Sequence, residues 1–223
     1  MISVLTPSRG RASSLRDSVF AIIDHAASRD AVEVLVALDP DDEDAETARY
    51  LTEGVPQVRY WTAPERYGYM QLHRYYNHLA SMAGGEWLLV WNDDARMLTA
   101  GWDEIIAAQE RGALWLSCTT MRGGNFFPAW PAAWTRACGH VALAANIDVW
   151  ISEVGRRLGR EQQIPVEVFH DRYDVTGGHD DQTYAEGRKV MGAFANHPDY
   201  DTPENRAARI RDTVTIRRLL EHG

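Results

Sequence analysis

The stretch "EWLLVWNDDARML", residues 86–98, decides how this chain is read. Its apolar run from Trp87 to Trp91 has the length of one strand, and a strand apolar on both faces belongs to a sheet covered by helices on both sides. Two adjacent carboxylates, Asp93 and Asp94, follow at once. They emerge where the strand leaves the core, at the carboxyl end, which is where open α/β sheets keep their chemistry.

Outward from this stretch the same grammar repeats. "ISVLT" (2–6) reads as a strand ending at Pro7, and from Ser13 or Ser14 the apolar residues Leu15, Val19, Ile22, Ile23 and Ala26 fall at helical spacing. "VEVLVAL" (32–38) is a second strand, followed by the acidic loop "DPDDEDAE", a helix to about Leu51 and a strand "QVRYW" at 57–61. Met70, His73, Asn77 and Ala80 then recur three and four apart, which predicts a helix over about 69–82. The alternation predicts an α/β fold with a mainly parallel central sheet flanked by helices.

Beyond a helix starting near Gly101 the rhythm loosens. A strand "ALWLS" (113–117) precedes a glycine- and aromatic-rich loop, "MRGGNFFPAWP", then helices near 131–138 and 147–159 and a strand "PVEVF" (165–169). Thr202 before Pro203 is a cap and first-turn pair, opening a basic amphipathic helix to about Leu220. We read one domain in three parts: 1–110, 111–200 and a C-terminal helix within 201–223.

Composition limits what such a domain does. With 32 acids against 23 bases the formal charge is −9, which disfavours a general grip on nucleic acid or anionic lipid. No apolar run approaches the roughly eighteen residues of a membrane span, and the N-terminus lacks the pattern of a secretory signal, so a cytoplasmic location without membrane contact is expected. Cys118 and Cys138 show no metal or redox spacing and read as reduced core residues. Arginines gather at Arg9 and Arg11, at Arg156, Arg157 and Arg160, and at Arg206, Arg209, Arg211, Arg217 and Arg218; solvated helix faces account for most of them.

A carboxylate pair at a strand end either caps the next segment or holds a divalent cation, since hard oxygen ligands suit Mg2+ or Mn2+ and a cation bridges to phosphate. The chain lacks a P-loop, a dinucleotide glycine pattern after "ISVLTP", a G-x-S-x-G elbow and an H-E-x-x-H motif. Kinases, nicotinamide dehydrogenases, serine hydrolases and zinc proteases thereby lose support. A nucleoside diphosphate bound through a metal, without a glycine loop, keeps it.

The order "ISVLTPSRGR", "VEVLVALDPDD", a helix carrying Asn77, "GGEWLLVWNDDARM" and "GWDE" resembles the nucleotide-sugar half of family 2 glycosyltransferases with the GT-A fold, over about residues 1–110. That resemblance implies a donor site in which Thr6, Pro7, Ser8 and Arg9 lie against the nucleotide and Asp39 accepts a hydrogen bond from the base, a UDP-sugar being favoured. The family's D-x-D motif stands here as Asn92-Asp93-Asp94; Asn92 and Asp93 are assigned to the donor and Asp94 to the Mn2+ or Mg2+ ion. Asn77 is read as structural.

The second half, "FFPAWPAAWTRACGHVALAANIDVWISEVGRRLGREQQIPVEVFHDRY" with "DDQTYAEG" further on, is similar to short family 2 members, many of them encoded by bacteriophages. On that likeness Asp148 takes the place of the catalytic base of an inverting transfer and His170 that of a late metal ligand, while Asp180 and Asp181 compete for the base. Phe127 and Trp130 are expected at the acceptor, with Phe126 and Trp134 beside them; the acceptor itself is a modified DNA base, a protein or a glycan. Two rival readings stand beside this one, a metal-dependent phosphoesterase or nucleotidyltransferase and a non-catalytic sugar-binding module.

Overall fold

The structure, a computed structural model, describes residues 1–120, 126–177, 182–191 and 199–222. The first half is β1 (Ile2–Ser8), α1 (Ala12–Asp24), β2 (Val32–Leu38), α2 (Ala45–Leu51), β3 (Val58–Thr62), α3 (Leu72–Met82) and β4 (Trp87–Val90). The second is β5 (Ala95–Met97), α4 (Trp102–Ala107), β6 (Ala113–Cys118), β7 (Phe126–Pro131), α5 (Ala132–Cys138), α6 (Ile147–Leu158), β8 (Glu161–His170), α7 (Tyr173–Thr176), α8 (Gln182–Met191) and α9 (Pro203–His222).

Among the described residues eight strands form one sheet in the order β3-β2-β1-β4-β7-β6-β8-β5. The first four pair in parallel, as βαβ crossovers require. The second half is mixed: β7 lies antiparallel between β4 and β6, β8 is parallel to β6, and β5 runs antiparallel to β8. The aromatic loop of the sequence reading therefore contains a central strand. Pro128, which has no N–H for the ladder, sits opposite Trp115 where the β6–β7 register shifts, and a bulge is how a proline enters a central strand.

Sequence alternation sorts the strands onto two cores. Ile2 and Val4 of β1, Val34 and Val36 of β2, and Trp87, Leu89 and the following Trp91 join Leu15, Val19, Ile22 and Trp102 on one face. Leu5, Leu35, Leu88 and Val90 meet Tyr76, Leu79, Trp134, Trp150 and Ile216 on the other. Both cysteines are free.

β4 stands fourth in the sheet and β5 eighth, a gap of roughly 19 Å in a flat sheet at about 4.8 Å per strand. Only residues 91–94 link them, and they include a turn closed by Ala95 N–H donating to Asn92 O at 3.1 Å. The sheet must curl for that turn to reach, so Asp93 and Asp94 occupy the place where the chain crosses between the two halves.

The C-terminal helix is a lid on the second core, with a polar buried face. Thr202 caps it through Asn205 N–H at 3.2 Å, and Ala208, Arg209, Asp212, Thr213 and Ile216 turn inward. Arg209, expected on a solvated face, is 1% exposed; its Nη1 donates to Tyr200 O at 2.7 Å and its Nε lies 2.7 Å from Glu153 Oε2. Asp212 accepts from Trp150 Nε1 at 2.9 Å, and His140 Nε2 lies 3.1 Å from the same oxygen.

Candidate functional site

The strand ending at the acids is fixed from both layers. Trp91 Nε1 donates to Ser18 Oγ of α1 at 2.7 Å, and Tyr76 Oη of α3 donates to Trp91 O at 2.9 Å. Beyond this anchor Asp93 and Asp94 are both buried, which for carboxylates demands partners. Ser8 Oγ donates to Asp93 Oδ2 at 2.7 Å, joining the end of β1 to the turn. Asp94 Oδ1 lies 3.0 Å from His170 Nε2, delivered by the Ala95–His170 pairing of β5 with β8. Tyr184 Oη of α8 donates to Asp94 Oδ2 at 2.8 Å.

Arg11 completes the cluster: its Nη1 is 3.0 Å from Asp93 Oδ1 and 3.0 Å from Asp94 Oδ2. Gly10, at a left-handed φ of 65°, turns the chain between two arginines that part company. Arg11 goes to the end of β4, whereas Arg9 goes to the end of β2, donating to Asp39 at 3.1 Å and to Asp41 at 2.6 and 3.1 Å. Asp39 also accepts the Tyr75 hydroxyl, and Arg66, ion-paired with Glu186, lies beside it.

Electrostatics divide the pair. Burial raises Asp93 above the ordinary carboxylate range, Arg11 opposing and Asp94 adding to the shift. Burial pushes Asp94 the same way, but hydrogen bonding and charge from His170, with Arg11 and Tyr184, hold it below that range. Asp39 is raised by burial against the pull of Tyr75 and Arg9.

Asp148 sits in the first turn of α6, whose N-cap is Asn146, and accepts the Val149 N–H at 2.9 Å. It is therefore a first-turn acid rather than the cap, and burial raises its pKa. The Tyr76 phenol is pushed well up by its burial and then by the charges of Asp93, Asp148 and Asp94.

Pro7, Ser8, Arg9, Asp39 and Asp93 of the predicted donor residues line one cleft of about 80 Å3, along with Arg11, Arg66, Tyr69, Tyr75 and Glu186. Thr6 is not among them; it is 1% exposed, with its hydroxyl unpartnered and buried. Asn92 lies against His170, its Nδ2 3.2 Å from Nε2. Two aromatic assignments need correction. Trp130, expected at the acceptor, is 1% exposed, because β7 is a central strand, and its Nε1 donates to Thr135 at 2.7 Å. Phe127, at φ 53°, is buried with its ring between Trp91 and His170, behind the cluster. Asp180 and Asp181, the competing bases, lie outside the described residues. Asn77 ties α3 to the α5–α6 loop through Ala142 O and Val141 N–H, at 2.8 and 2.7 Å. The arginine spacing carried no hint of Arg11's role, and the tyrosines of α3 and α8 carry no motif.

Asp94 Oδ1 and His170 Nε2 are hydrogen-bonded at 3.0 Å, and a carboxylate oxygen and an imidazole nitrogen are donor types that divalent cations take. His170 Nδ1 is buried without a partner among the described residues. Among the described residues no group of three or more His, Cys, Asp and Glu is placed around one ion, so ligands from the substrate would have to complete the shell.

The curled mixed sheet with helices on both sides is a GT-A type fold. S. aureus TarS (residues 1–349) in complex with UDP-GlcNAc superposes with a TM-score of 0.64 at 9% identity, over 95% of this chain and 79% of that one. The mannosyltransferase PcManGT from Pyrobaculum calidifontis, in complex with GDP-Man and Mn2+, gives 0.63 at 14% identity, over 100% and 75%. The complex of TarS residues 1–349 with UDP gives 0.62 at 11% identity, over 75% of this chain and 59% of that one. No protein-family model matches the chain, and no curated protein matches it in sequence.

Proposed function

We propose that this chain is a metal-assisted, inverting glycosyltransferase that moves a sugar from a nucleoside diphosphate sugar, a UDP-sugar by preference, to an acceptor hydroxyl. The observation that carries the reading is the joining of Asp93, Asp94 and His170 in one buried cluster, beside a cleft floored by Asp39. On this reading Asp39, with Ser8 and Arg9 in the same cleft, receives the nucleoside. The fold's likeness to proteins crystallised with UDP-GlcNAc and with GDP-Man and Mn2+ supports the donor class.

Asp94 and His170 would hold Mn2+ or Mg2+, which supplies positive charge against the negative charge that grows on a departing diphosphate. Asp148 is the candidate base. Inversion needs a carboxylate on the face opposite the leaving group, within hydrogen-bond reach of the acceptor hydroxyl. Burial raises its pKa, which makes it a stronger base once ionised. The acceptor carries the attacking hydroxyl; the bacteriophage resemblance favours a modified DNA base or a virion protein over a glycan.

The test is a thermal-shift screen of nucleotides and nucleotide sugars with and without Mn2+, followed by turnover of Asp148→Asn. A ligand bound only by the native state raises its stability by mass action. The expected result is a metal-dependent rise with one nucleoside diphosphate, retained in Asp148→Asn while transfer falls by a factor of 100 or more, on the order of a lost general base. Wild-type transfer by Asp148→Asn would refute the base assignment. A flat screen would return the acids to a structural role.

A further inference from the structure

Arg11 stands out in the cluster because its place is the one a cation would claim. One guanidinium nitrogen, Nη1, is 3.0 Å from both Asp93 Oδ1 and Asp94 Oδ2, and the side chain is only 12% exposed. Its Cζ lies 4.8 Å from the centre of the Tyr184 ring, whose hydroxyl is bonded to the same Asp94 oxygen. Asp94 is thus fully engaged: Oδ1 by His170, Oδ2 by Arg11 and Tyr184. A divalent ion held between Asp94 and His170 brings two positive charges into contact range of a guanidinium with little water to screen them, and the two cations repel strongly.

We infer that Arg11 is the built-in counter-charge of the acidic pair and competes with the divalent cation for Asp94, turning to the donor's diphosphate when the cation enters. This rests on the reading of Asp94 and His170 as the cation site. Arginine suits the exchange, since its planar fork serves carboxylate and phosphate alike and it never loses its proton. Its position at the N-cap of α1, after the Gly10 turn, puts it beside Ser8 and Asp93 on the wall of the donor cleft. The consequence is linkage: a cation that displaces Arg11 from Asp94 frees its fork for the diphosphate, and a diphosphate that draws Arg11 away opens Asp94 to the cation, so each strengthens the other's binding.

The test measures binding rather than turnover. Mn2+ affinity of the full chain is determined by calorimetry without nucleotide, for wild type, Arg11→Met and Arg11→Lys, with circular dichroism and melting curves to confirm folding. Removing the competing charge in Arg11→Met should tighten Mn2+ at least tenfold, while UDP affinity at saturating Mn2+ falls at least tenfold; Arg11→Lys, keeping a charge, should stay near wild type in Mn2+ affinity. A merely structural Arg11 would not move the two affinities in opposite directions. Equal or weaker Mn2+ binding by folded Arg11→Met overturns the inference alone. Absence of Mn2+ binding in both wild type and Arg11→Met overturns it together with the cation-site reading.

Discussion

Arg209→Met tests what holds the C-terminal helix down. Methionine keeps much of the length and apolar contact of the stem over Tyr200, whose ring centre is 4.0 Å from the guanidinium carbon, but removes charge and donors. Three partners are lost: Tyr200 O at 2.7 Å, Glu153 Oε2 at 2.7 Å and Asp201 Oδ1 at 3.4 Å. The Asp201 contribution is small, because that side chain is 65% exposed and screened by water. An unsatisfied carbonyl costs about 1–3 kcal/mol, and stranding one member of a buried ion pair about 3–5 kcal/mol. Glu153 keeps Arg157 and the Tyr200 hydroxyl as partners, so the lower end applies. We expect about 3 kcal/mol, or a fall in Tm of about 6–12 °C for a chain of this size. Urea titration followed by far-UV circular dichroism measures it, with Arg218→Met on the exposed side as a control, expected within about 0.5 kcal/mol of wild type. A loss below 1 kcal/mol at an unchanged m-value would refute the claim that Arg209 anchors the helix.

Two further outcomes follow from the geometry. Burial raises Asp148, so on the proposed mechanism kcat/KM should fall on acidification at a pH above the ordinary carboxylate range, since the protonated acid cannot take the acceptor's proton; the pH profile of Asp93→Asn should keep that limb, because Asp93 is also raised. Gly85→Ala should cost about 1–3 kcal/mol by chemical denaturation, because the new methyl would sit 2.6 Å from Ser3 Oγ and 2.8 Å from Ser3 N, backbone that cannot swing aside.

What the sequence made legible follows the strength of its periodic signals. The βαβ half reads well because its strands are uninterrupted apolar runs between helices with clear spacing, and the observed β1, β2 and β4 begin within a residue of expectation. β7 was hidden because two prolines and its flanking glycines outweigh its aromatic residues, and β5 because three residues carry no period. The same reason misplaced Trp130: read as loop, an aromatic residue suggests a stacking surface, but in a central strand it is core. The acids were legible through their strand end, whereas His170 was singled out only through the family resemblance, and the structure sets it against Asp94. Arg11, Arg66, Tyr75 and Tyr184 were not, because their role depends on side chains 36 to 120 positions away meeting at one cleft, and no local pattern encodes such a meeting.

The pairing of β5 with β8 has an evolutionary side. It brings together Asp94 and His170, 76 positions apart, and everything between them is in effect a loop whose ends are pinned. Closing such a loop costs entropy that grows only with the logarithm of its length, about 0.6 kcal/mol for each doubling. The intervening segment can therefore lengthen, shorten or exchange pieces at little thermodynamic cost, provided β8 returns to the same register. A lineage can remodel the intervening segment freely while Asp94 and His170 stay where they are.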